Sequence, residues 1–375
     1  MAASSHDAIR PLPAVAMLGD AFVDVQVSGL RSLPSWGQDA ECQGIQLLAG
    51  GSCANAARHL ASLGRDQLTV SFCSALGDDD LGRYFLSKLR EEGLLARPDE
   101  SIAVLEKVPQ STCVVLSGQT DRAMVSCYSS NRLMRADHFA PLLLRGGDAP
   151  FRHLHIGGYF GCTALHTEAF LDLVRSLRAS GARVSLDTQY DSSEKWTGVD
   201  GHLAKLLPLL DVFLFNEEEA AGIARATGAF PVPAAANAAA QEAAGEALQT
   251  TGADGHHGEH EDALAALAAA HPQALVVIKR GHEGVVCAQG RRRWRVGAFG
   301  TDVADTTGAG DAFNAGFILK YVADPADVPG ALRSGNAAGG LCVSAEGACA
   351  VPLERGAVEQ LTASVPTEAA SDTFV

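Results

Sequence analysis

The sequence predicts an α/β fold in which a doubly wound, mostly parallel sheet is flanked by helices and carries a small β-sheet lid. Two patterns lead to this prediction. Short runs rich in β-branched residues are apolar on both faces, as expected for strands that helices cover on both sides. These runs alternate with segments whose apolar residues recur with the helical period. At 375 residues, the chain is long enough to bury a sizeable core.

The elements of the main body follow one another along most of the chain. The predicted strands are residues 14–19, 68–77, 153–158, 183–187, 212–216 and 274–281. Helices are predicted where the apolar period of 3.6 residues ends at a glycine, which is a common helix stop. These helices are residues 53–64, 81–93 and 167–181.

Two regions interrupt the alternation of strands and helices. Residues 111–130 predict an antiparallel hairpin, and together with strands in residues 23–51 they indicate a small sheet that forms a lid. Residues 225–262 form an Ala-rich stretch with proline, glycine and polar clusters, which predicts a poorly ordered surface insertion. We expect residues 14–375 to form one α/β domain around these two features.

Composition and charge restrict the class of protein. The formal net charge of -15 argues against binding to nucleic acid or to an anionic membrane surface, although a few backbone N–H groups can still bind one small anion. No apolar run reaches the roughly 18 residues of a membrane span, and the first residues lack the apolar core of a secretory signal. Nine scattered cysteines without a CxxC pair predict reduced thiols. We therefore expect a cytoplasmic location, with an organellar address left open.

The stretch DTTGAGDAF, residues 305–313, directly precedes an apolar segment that predicts a buried helix. Asp311 would lie in the first turn of that helix, where unsatisfied N–H groups attract anions. Gly308 and Gly310 would let a phosphate approach these N–H groups closely. The alternative is a tight turn in which Asp311 is an ordinary N-cap, and the stretch alone leaves both interpretations open.

Five further motifs accompany this one, and with them the chain resembles the ribokinase (PfkB) family of carbohydrate and nucleoside kinases. The resemblance extends over roughly residues 14–355 and implies a ribokinase-like fold. No G-x-G-x-x-G follows the first strand and no P-loop lysine motif is present, which argues against dinucleotide-binding and P-loop proteins. The motifs, in family order, are GGSCANAARHLASLG (50–64), ALGDDDLG (75–82), NEEE (216–219), VIKRGHEG (277–284), DTTGAGDAFNAGF (305–317) and GNAAGGLCVSAEGA (335–348).

The resemblance implies a role for each residue that matches a family motif. Asp311 would be the base that accepts the proton of the acceptor hydroxyl. The backbone N–H groups of Gly308, Ala309 and Gly310 would form an anion hole for the transferring phosphate. Asn216 and Glu219 would organise Mg²⁺, bound with ATP, through water. For this pair, a helix N-cap followed by a first-turn acid is the structural alternative.

The remaining matches divide between the acceptor, the nucleotide and a monovalent cation. The acceptor would be bound by Asp24, Gly51 and Asn55, with a solvated strand acid as the alternative for Asp24. The nucleotide side would contain Lys279, Gly281 and Asn336, and the role of Lys279 stays open because several family members have threonine there. The resemblance implies a monovalent cation, K⁺, near Asp305 and Thr307.

Two departures from the family pattern bear on the substrate. The step from Asn216 to Gly281 is about thirty residues longer than usual because of the Ala-rich insertion. SLDTQYD, residues 185–191, replaces the family's D-x-N-x-R and lacks its arginine, which disfavours an acceptor that is already phosphorylated. We therefore expect an ATP-dependent kinase acting on a neutral monosaccharide, ribose- or ketose-like. A nucleoside kinase and a catalytically silent nucleotide-binding homologue are the alternatives, and pairing through the lid would give a homodimer.

Overall fold

The computed structural model describes residues 12–118, 122–145, 151–230, 259–344 and 352–364. Within these residues, the chain forms a nine-stranded sheet with helices on both faces and a separate four-stranded sheet. The predicted fold class is confirmed.

The strands and helices have the following bounds. The strands are β1 (Ala14–Gly19), β2 (Phe22–Ser28), β3 (Gly44–Gly50), β4 (Thr69–Gly77), β5 (Ile102–Leu105), β6 (Thr112–Ser117), β7 (Arg122–Cys127), β8 (Phe151–Gly157), β9 (Arg183–Asp187), β10 (Val212–Asn216), β11 (Leu275–Lys279), β12 (Val285–Gln289) and β13 (Arg292–Val296). The helices are α1 (Ser52–Leu63), α2 (Asp80–Glu92), α3 (Pro98–Ser101), α4 (Ala140–Leu143), α5 (Glu168–Ala179), α6 (His202–Leu206), α7 (Glu217–Ala226), α8 (Glu259–Ala270), α9 (Ala309–Ala323), α10 (Val328–Val343) and α11 (Arg355–Ser364).

The main sheet has the strand order β13-β12-β11-β10-β9-β8-β1-β4-β5. The strands from β11 to β5 are parallel to one another, and β12 and β13 add an antiparallel hairpin at one end. Side chains of β1 alternate between two hydrophobic layers: Val15 and Met17 enter one, and Ala16 and Leu18 enter the other. This burial on both faces explains why the parallel strands are apolar throughout.

Five parallel strands end at the same edge of the main sheet, and this edge positions the site. Their last residues are Gly19, Gly157, Asp187, Asn216 and Lys279. Ligands of open α/β sheets bind in the crevice outside the carboxyl ends of the strands. The polar residues at these ends therefore mark the place where a functional site is expected.

The lid is the four-stranded sheet, with the order β3-β2-β6-β7. Strand β2 is antiparallel to β3 and parallel to β6, and β6 and β7 form the predicted hairpin, whose turn at 119–121 lies outside the described residues. Two short connections join the lid to the body. Asp20 and Ala21 separate β1 from β2, and Gly51 separates β3 from α1.

The predicted 225–262 insertion is described only at its two ends. Residues 225 and 226 close α7, and residues 259–262 begin α8, so these ends are helical. Residues 231–258 lie outside the described residues. Helix α8 packs Ala263, Leu264, Leu267 and Ala268 into the core, a spacing that places all four side chains on one helix face.

The sequence-based expectations about membrane spans and thiols concern the same described residues. None of the helices found there combines the length and the hydropathy that crossing a bilayer requires. The cysteines found there carry free thiols, as their scattered spacing predicts.

Candidate active site

Asp311 lies at the start of α9, buried against α1. The N-cap of α9 is Gly308, whose φ of 75° is in the left-handed region that glycine adopts without strain. Asp311 is the third helical residue, and its side chain accepts hydrogen bonds from another helix. Ser52 Oγ donates to Oδ1 at 2.8 Å, and Asn55 Nδ2 donates to Oδ2 at 3.0 Å. The alternative that Asp311 is an ordinary N-cap is therefore wrong.

The electrostatic environment of Asp311 suits a base that works near neutral pH. Burial raises the pKa of its carboxyl from 3.8 to about 8, with the negative charges of Asp187 and Asp20 adding to the rise. The hydrogen bonds from Asn55 and Ser52 act in the opposite direction, because they stabilise the ionised form. At mildly alkaline pH, the Asp311 carboxylate is ionised and can accept a proton. Because its pKa is raised, it is also basic enough to bind that proton.

The backbone at the start of α9 has the donors that an anion site would need. The first N–H groups of a helix have no intrahelical acceptor and carry the positive end of the helix dipole. Gly308, Ala309 and Gly310 supply these groups. A Cβ atom at Gly310 would lie 3.4 Å from Lys279 Nζ, so the lysine ammonium stands beside the same helix start. A phosphate here would meet backbone donors and a positive charge together.

Lys279 is paired with a buried carboxylate. Its Nζ lies 2.7 Å from Asp187 Oδ2, and the same oxygen accepts a hydrogen bond from Asn314 Nδ2. Burial alone would raise the pKa of Asp187, but the charge and hydrogen bond of Lys279 outweigh it, so the pKa lies below its usual value. Asp187 therefore stays ionised and fixes the lysine at the helix start.

Asn216 and Glu219 form a capping box at the start of α7. Asn216 is the N-cap and accepts a hydrogen bond from Glu219 N at 2.9 Å, while its own N and Nδ2 donate to the two oxygens of Glu219. The structural alternative for this pair is thus present in the fold. Burial, followed by the nearby charge of Asp187, raises the pKa of Glu219. A cation near this carboxylate would relieve that cost.

The acceptor side of the site is acidic. Asp24 lies in the lid strand β2 above Gly50, where a Cβ atom would come within 2.0 Å of Asp24 Oδ2, so the close approach requires glycine. Burial and the charge of Asp20 raise the pKa of Asp24 to about 7. Burial likewise raises the pKa of Asp20 to about 6, and its Oδ1 accepts a hydrogen bond from Cys53 N at 2.8 Å. Gly51, with φ 102°, connects this region to α1.

The residues predicted for the nucleotide lie away from Asp24. Gly281 begins the turn after β11, and a Cβ atom there would meet no other atom within 4 Å. Asn336 on α10 donates from Nδ2 to the carbonyl oxygens of Val296 at 3.1 Å and Gly297 at 2.9 Å, which fixes the chain after β13.

The two residues predicted for a monovalent cation lie just before α9. Asp305 Oδ1 accepts a hydrogen bond from Thr307 N at 2.8 Å. This contact braces the loop that leads into Gly308. Within the described residues, no group of three or more His, Cys, Asp or Glu side chains is placed to hold a metal ion.

The structure also brings together residues that the sequence reasoning did not select. Ser52 lies inside the quoted GGSCAN motif, Asp20 follows the strand glycine, and Asp187 and Gln189 lie inside SLDTQYD. Their positions within motifs could have identified them as candidates. Asn314, also inside a motif, was hidden by the apolar character of the α9 segment around it.

Together, the buried carboxylate, the first N–H groups of α9 and the lid define a small-molecule phosphotransferase site. A model of the pfkB family of carbohydrate kinases matches residues 14–355. The chain belongs to this family, and it is an ATP-dependent phosphotransferase that acts on a sugar or nucleoside. The predicted family resemblance is confirmed.

Known relatives differ in their acceptors. The adenosine kinase of Schizophyllum commune is 24% identical over 285 residues, which is 74% of each chain. The ATP-dependent ribose-1-phosphate kinase of Halopiger xanaduensis is 24% identical over 331 residues, 85% of this chain and 88% of that protein. A solved structure of a putative ribokinase II from E. coli, in complex with ATP and Mg²⁺, matches with a TM-score of 0.71 and 20% identity over 94% of this chain and 100% of that one.

Proposed function

We propose that the protein transfers the γ-phosphate of ATP to a hydroxyl group of a neutral monosaccharide, ribose- or ketose-like. The observation that carries this proposal is the placement of the Asp311 carboxylate at the N-terminus of α9, beside the first N–H groups of that helix and Lys279. A base and an anion site within one helical turn meet the two main needs of phosphoryl transfer.

In the proposed reaction, Asp311 accepts the proton of the acceptor hydroxyl while the hydroxyl oxygen forms a bond to the γ-phosphorus. The bond from that phosphorus to the bridging oxygen of ADP breaks, and ADP leaves with the electron pair. The N–H groups of Gly308, Ala309 and Gly310 stabilise the negative charge on the transferring phosphate. Lys279 adds a positive charge on the same side.

Mg²⁺ bound with ATP would neutralise phosphate charge at this site. The donor set fits such an ion, because Glu219 is a buried carboxylate whose ionised form burial and the nearby charge of Asp187 disfavour, and a cation would stabilise that form. Asn216 and Glu219 would hold the ion through water. Support for Mg²⁺ with ATP comes from the E. coli neighbour solved with both.

The other predicted nucleotide and cation residues surround the helix start. We propose that Gly281 and Asn336 border the base of the nucleotide, because the open turn at 281 leaves room beside the strand end. Asp305 and Thr307 would contribute to a site for K⁺ next to the anion hole.

The acidic character of the acceptor side favours a neutral acceptor. Besides burial, the charge of Asp20 raises the pKa of both Asp24 and Asp311, and a second phosphate group among these carboxyls would add further repulsion. Carboxylates instead accept hydrogen bonds from sugar hydroxyls. We therefore propose that Asp24, Gly51 and Asn55 bind the acceptor. Asn55 can bind either the substrate or Asp311.

A nucleoside is the second candidate acceptor, and the 24% identical adenosine kinase supports it. The screen that tests the proposal measures ADP release with pentoses, ketoses, nucleosides and sugar monophosphates. Turnover of a pentose or ketose with a kcat/KM at least tenfold above those of its monophosphate and of adenosine would support a neutral sugar. Preference for ribose 1-phosphate or fructose 6-phosphate would overturn it. No ADP release with any acceptor would favour a catalytically silent homologue.

We also propose that two copies pair through the outer face of the lid. Strand register aligns Leu47, Val25, Val114 and Val125 in one row across all four lid strands. Leu47 and Val125 are exposed, at 41% and 63%, and Ile45 in the next row is 66% exposed. An apolar face of this kind is typical of a protein interface. Sedimentation velocity should give a dimer, and Val125→Asp should give a monomer.

A further inference from the structure

We propose that Gln189 and Ser52 are positioning residues that favour the ionised form of the Asp311 carboxylate and orient it through a directed chain of hydrogen bonds. This inference rests on the proposed role of Asp311 as the base. It adds two residues to the reaction: Ser52 bonds to the base itself, and Gln189 bonds to Ser52.

The chain of hydrogen bonds begins at the buried Asp187. Its Oδ1 accepts hydrogen bonds from the backbone N and from the side-chain Nε2 of Gln189, each at 3.1 Å. A carboxylate can only accept hydrogen bonds, so the Gln189 amide must turn its nitrogen to this side. The same Nε2 lies 2.7 Å from Ser52 Oγ.

The orientation of the amide decides where the Ser52 proton points. Because Nε2 is a donor, Ser52 Oγ accepts its hydrogen bond, and the single hydroxyl proton remains for Asp311 Oδ1 at 2.8 Å. Donation to a carboxylate stabilises its ionised form and fixes its rotation. Asp187 and Gln189 thus set the direction in which the Ser52 hydroxyl donates to Asp311.

The backbone of Gln189 indicates that the position is constrained. Its φ of 58° lies in the left-handed region, which glutamine rarely adopts. Strained conformations of this kind persist where the surroundings determine them and cluster at functional sites. Here the bonds to Asp187 and Ser52 hold the residue in place.

Asp311 depends on such donors because most charges that face it are negative. Asp20 and Asp187 raise its pKa from the β1 and β9 ends, and the neutral thiols of Cys53 and Cys342 stand nearby on α1 and α10. Lys279 on β11 is the cation of this group, and it is committed to Asp187. The donors from α1, Ser52 and Asn55, are therefore what favours the ionised carboxylate directly.

Three variants separate the steps of the chain. Ser52→Ala removes the donor to Asp311, Ser52→Thr keeps a hydroxyl at the same position, and Gln189→Met keeps length but removes the amide. Ser176→Ala is the matched control, because the Ser176 hydroxyl bonds only to the Asp172 carbonyl of its own helix. The carboxyl carbon of Asp311, assigned by its loss in Asp311→Asn, is titrated by NMR in the free full-length protein.

We expect Ser52→Ala to raise the pKa of Asp311 by about one unit and Gln189→Met to raise it by less, with Ser52→Thr and Ser176→Ala unchanged. The acid limb of the pH profile of kcat/KM should move to higher pH together with the pKa of Asp311. The rate of Ser52→Ala would then fall about tenfold at pH 7 and recover well above the new pKa.

An unchanged pKa in Ser52→Ala, or a shift in Ser52→Thr as large as in Ser52→Ala, would overturn the proposal. An unchanged pKa of Asp311 in Gln189→Met would show that Gln189 is not a positioning residue. If the NMR pKa moves and the kinetic limb does not, the base assignment fails and the positioning role fails with it. Absence of turnover in the wild type, with the NMR shifts as expected, would count against the proposed function alone.

Discussion

Replacing Asp311 by asparagine removes proton acceptance while keeping the shape of the side chain. In the wild type, Ser52 and Asn55 each donate to one carboxylate oxygen of Asp311. In Asp311→Asn, the amide oxygen can accept from Asn55, and the Ser52 hydroxyl can rotate to accept from the new amide nitrogen. The anion hole is formed by backbone groups and keeps its geometry, so we expect the affinity for ATP to change little.

The expected loss of activity is large and depends on pH in the wild type only. Loss of a general base lowers kcat about 10²- to 10⁴-fold, or about 3–5 kcal/mol of barrier. With a pKa of about 8, roughly a tenth of the wild-type Asp311 is ionised at pH 7, so kcat/KM should rise about tenfold from pH 7 to pH 9. The residual activity of Asp311→Asn should lack this rise.

As pH rises, the stability of the wild type should fall while its activity rises. The folded-state pKa of Asp311 is raised above its unfolded value of 3.8, so its contribution is fully present below pH 3.8 and is lost as pH rises through about 8. Asparagine does not titrate, so Asp311→Asn should show no such loss of stability. The Tm of Asp311→Asn relative to the wild type should therefore increase between pH 4 and pH 8.

The assays are kcat by coupled ADP release, ATP affinity by titration and Tm by thermal melting at several pH values. A folded Asp311→Asn protein that keeps more than about a tenth of the wild-type kcat would refute the base assignment. A variant with a lowered Tm at all pH values would show instead that the residue is structural.

Three other changes test separate parts of the site. Lys279→Met should weaken ATP binding and, because it leaves the buried Asp187 unpaired, lower the free energy of unfolding by about 3–5 kcal/mol, while adding Asp187→Asn should restore part of that stability in chemical denaturation. Potassium should raise the rate above that in sodium or tetramethylammonium buffers, because a cation bound near Asp305 and Thr307 would brace the anion hole; equal rates would contradict this. Replacing residues 231–258 by a short Gly/Ser linker should leave kcat within about threefold, since long insertions add little loop-closure entropy; a folded but inactive variant would place the segment in the site.

The main sheet could be predicted because its strands carry their own signal. The run 212–216 is apolar at four of its five positions, and β10 lies between two strands and two helix layers, so local sequence and tertiary environment agree. Strand β5 was missed because it is short and lies at the edge of the sheet. Helix α8 was not predicted, and its first four residues were assigned to the insertion, because alanine occupies both its buried and its exposed faces and leaves little periodic contrast.

The proposed base and the proposed anion hole could be selected from the sequence because both lie within one motif. The contacts of the base could not, since Ser52 and Asp311 are 259 residues apart and Gln189 and Ser52 are 137 residues apart. Such pairs meet only when β9, α1 and α9 are assembled. The absence of an arginine in SLDTQYD suggested what the site lacks, but the glutamine that bonds to Ser52 gave no signal of its own.

The short connections between lid and body bear on how the enzyme avoids hydrolysing ATP when no acceptor is bound. Ala21 is clamped on both sides, since its N–H donates to Asn131 Oδ1 at 3.1 Å and its carbonyl accepts from Gln110 Nε2 at 2.9 Å. A moving lid would therefore bend beyond Ala21, and Asp24 follows three residues later. An acceptor held by Asp24 would draw such a lid towards the body as it binds, whereas a lone water molecule would be too small to contact both sides. For this reason we expect ATP hydrolysis in the absence of an acceptor to be slow, because closure of the lid would require the acceptor itself.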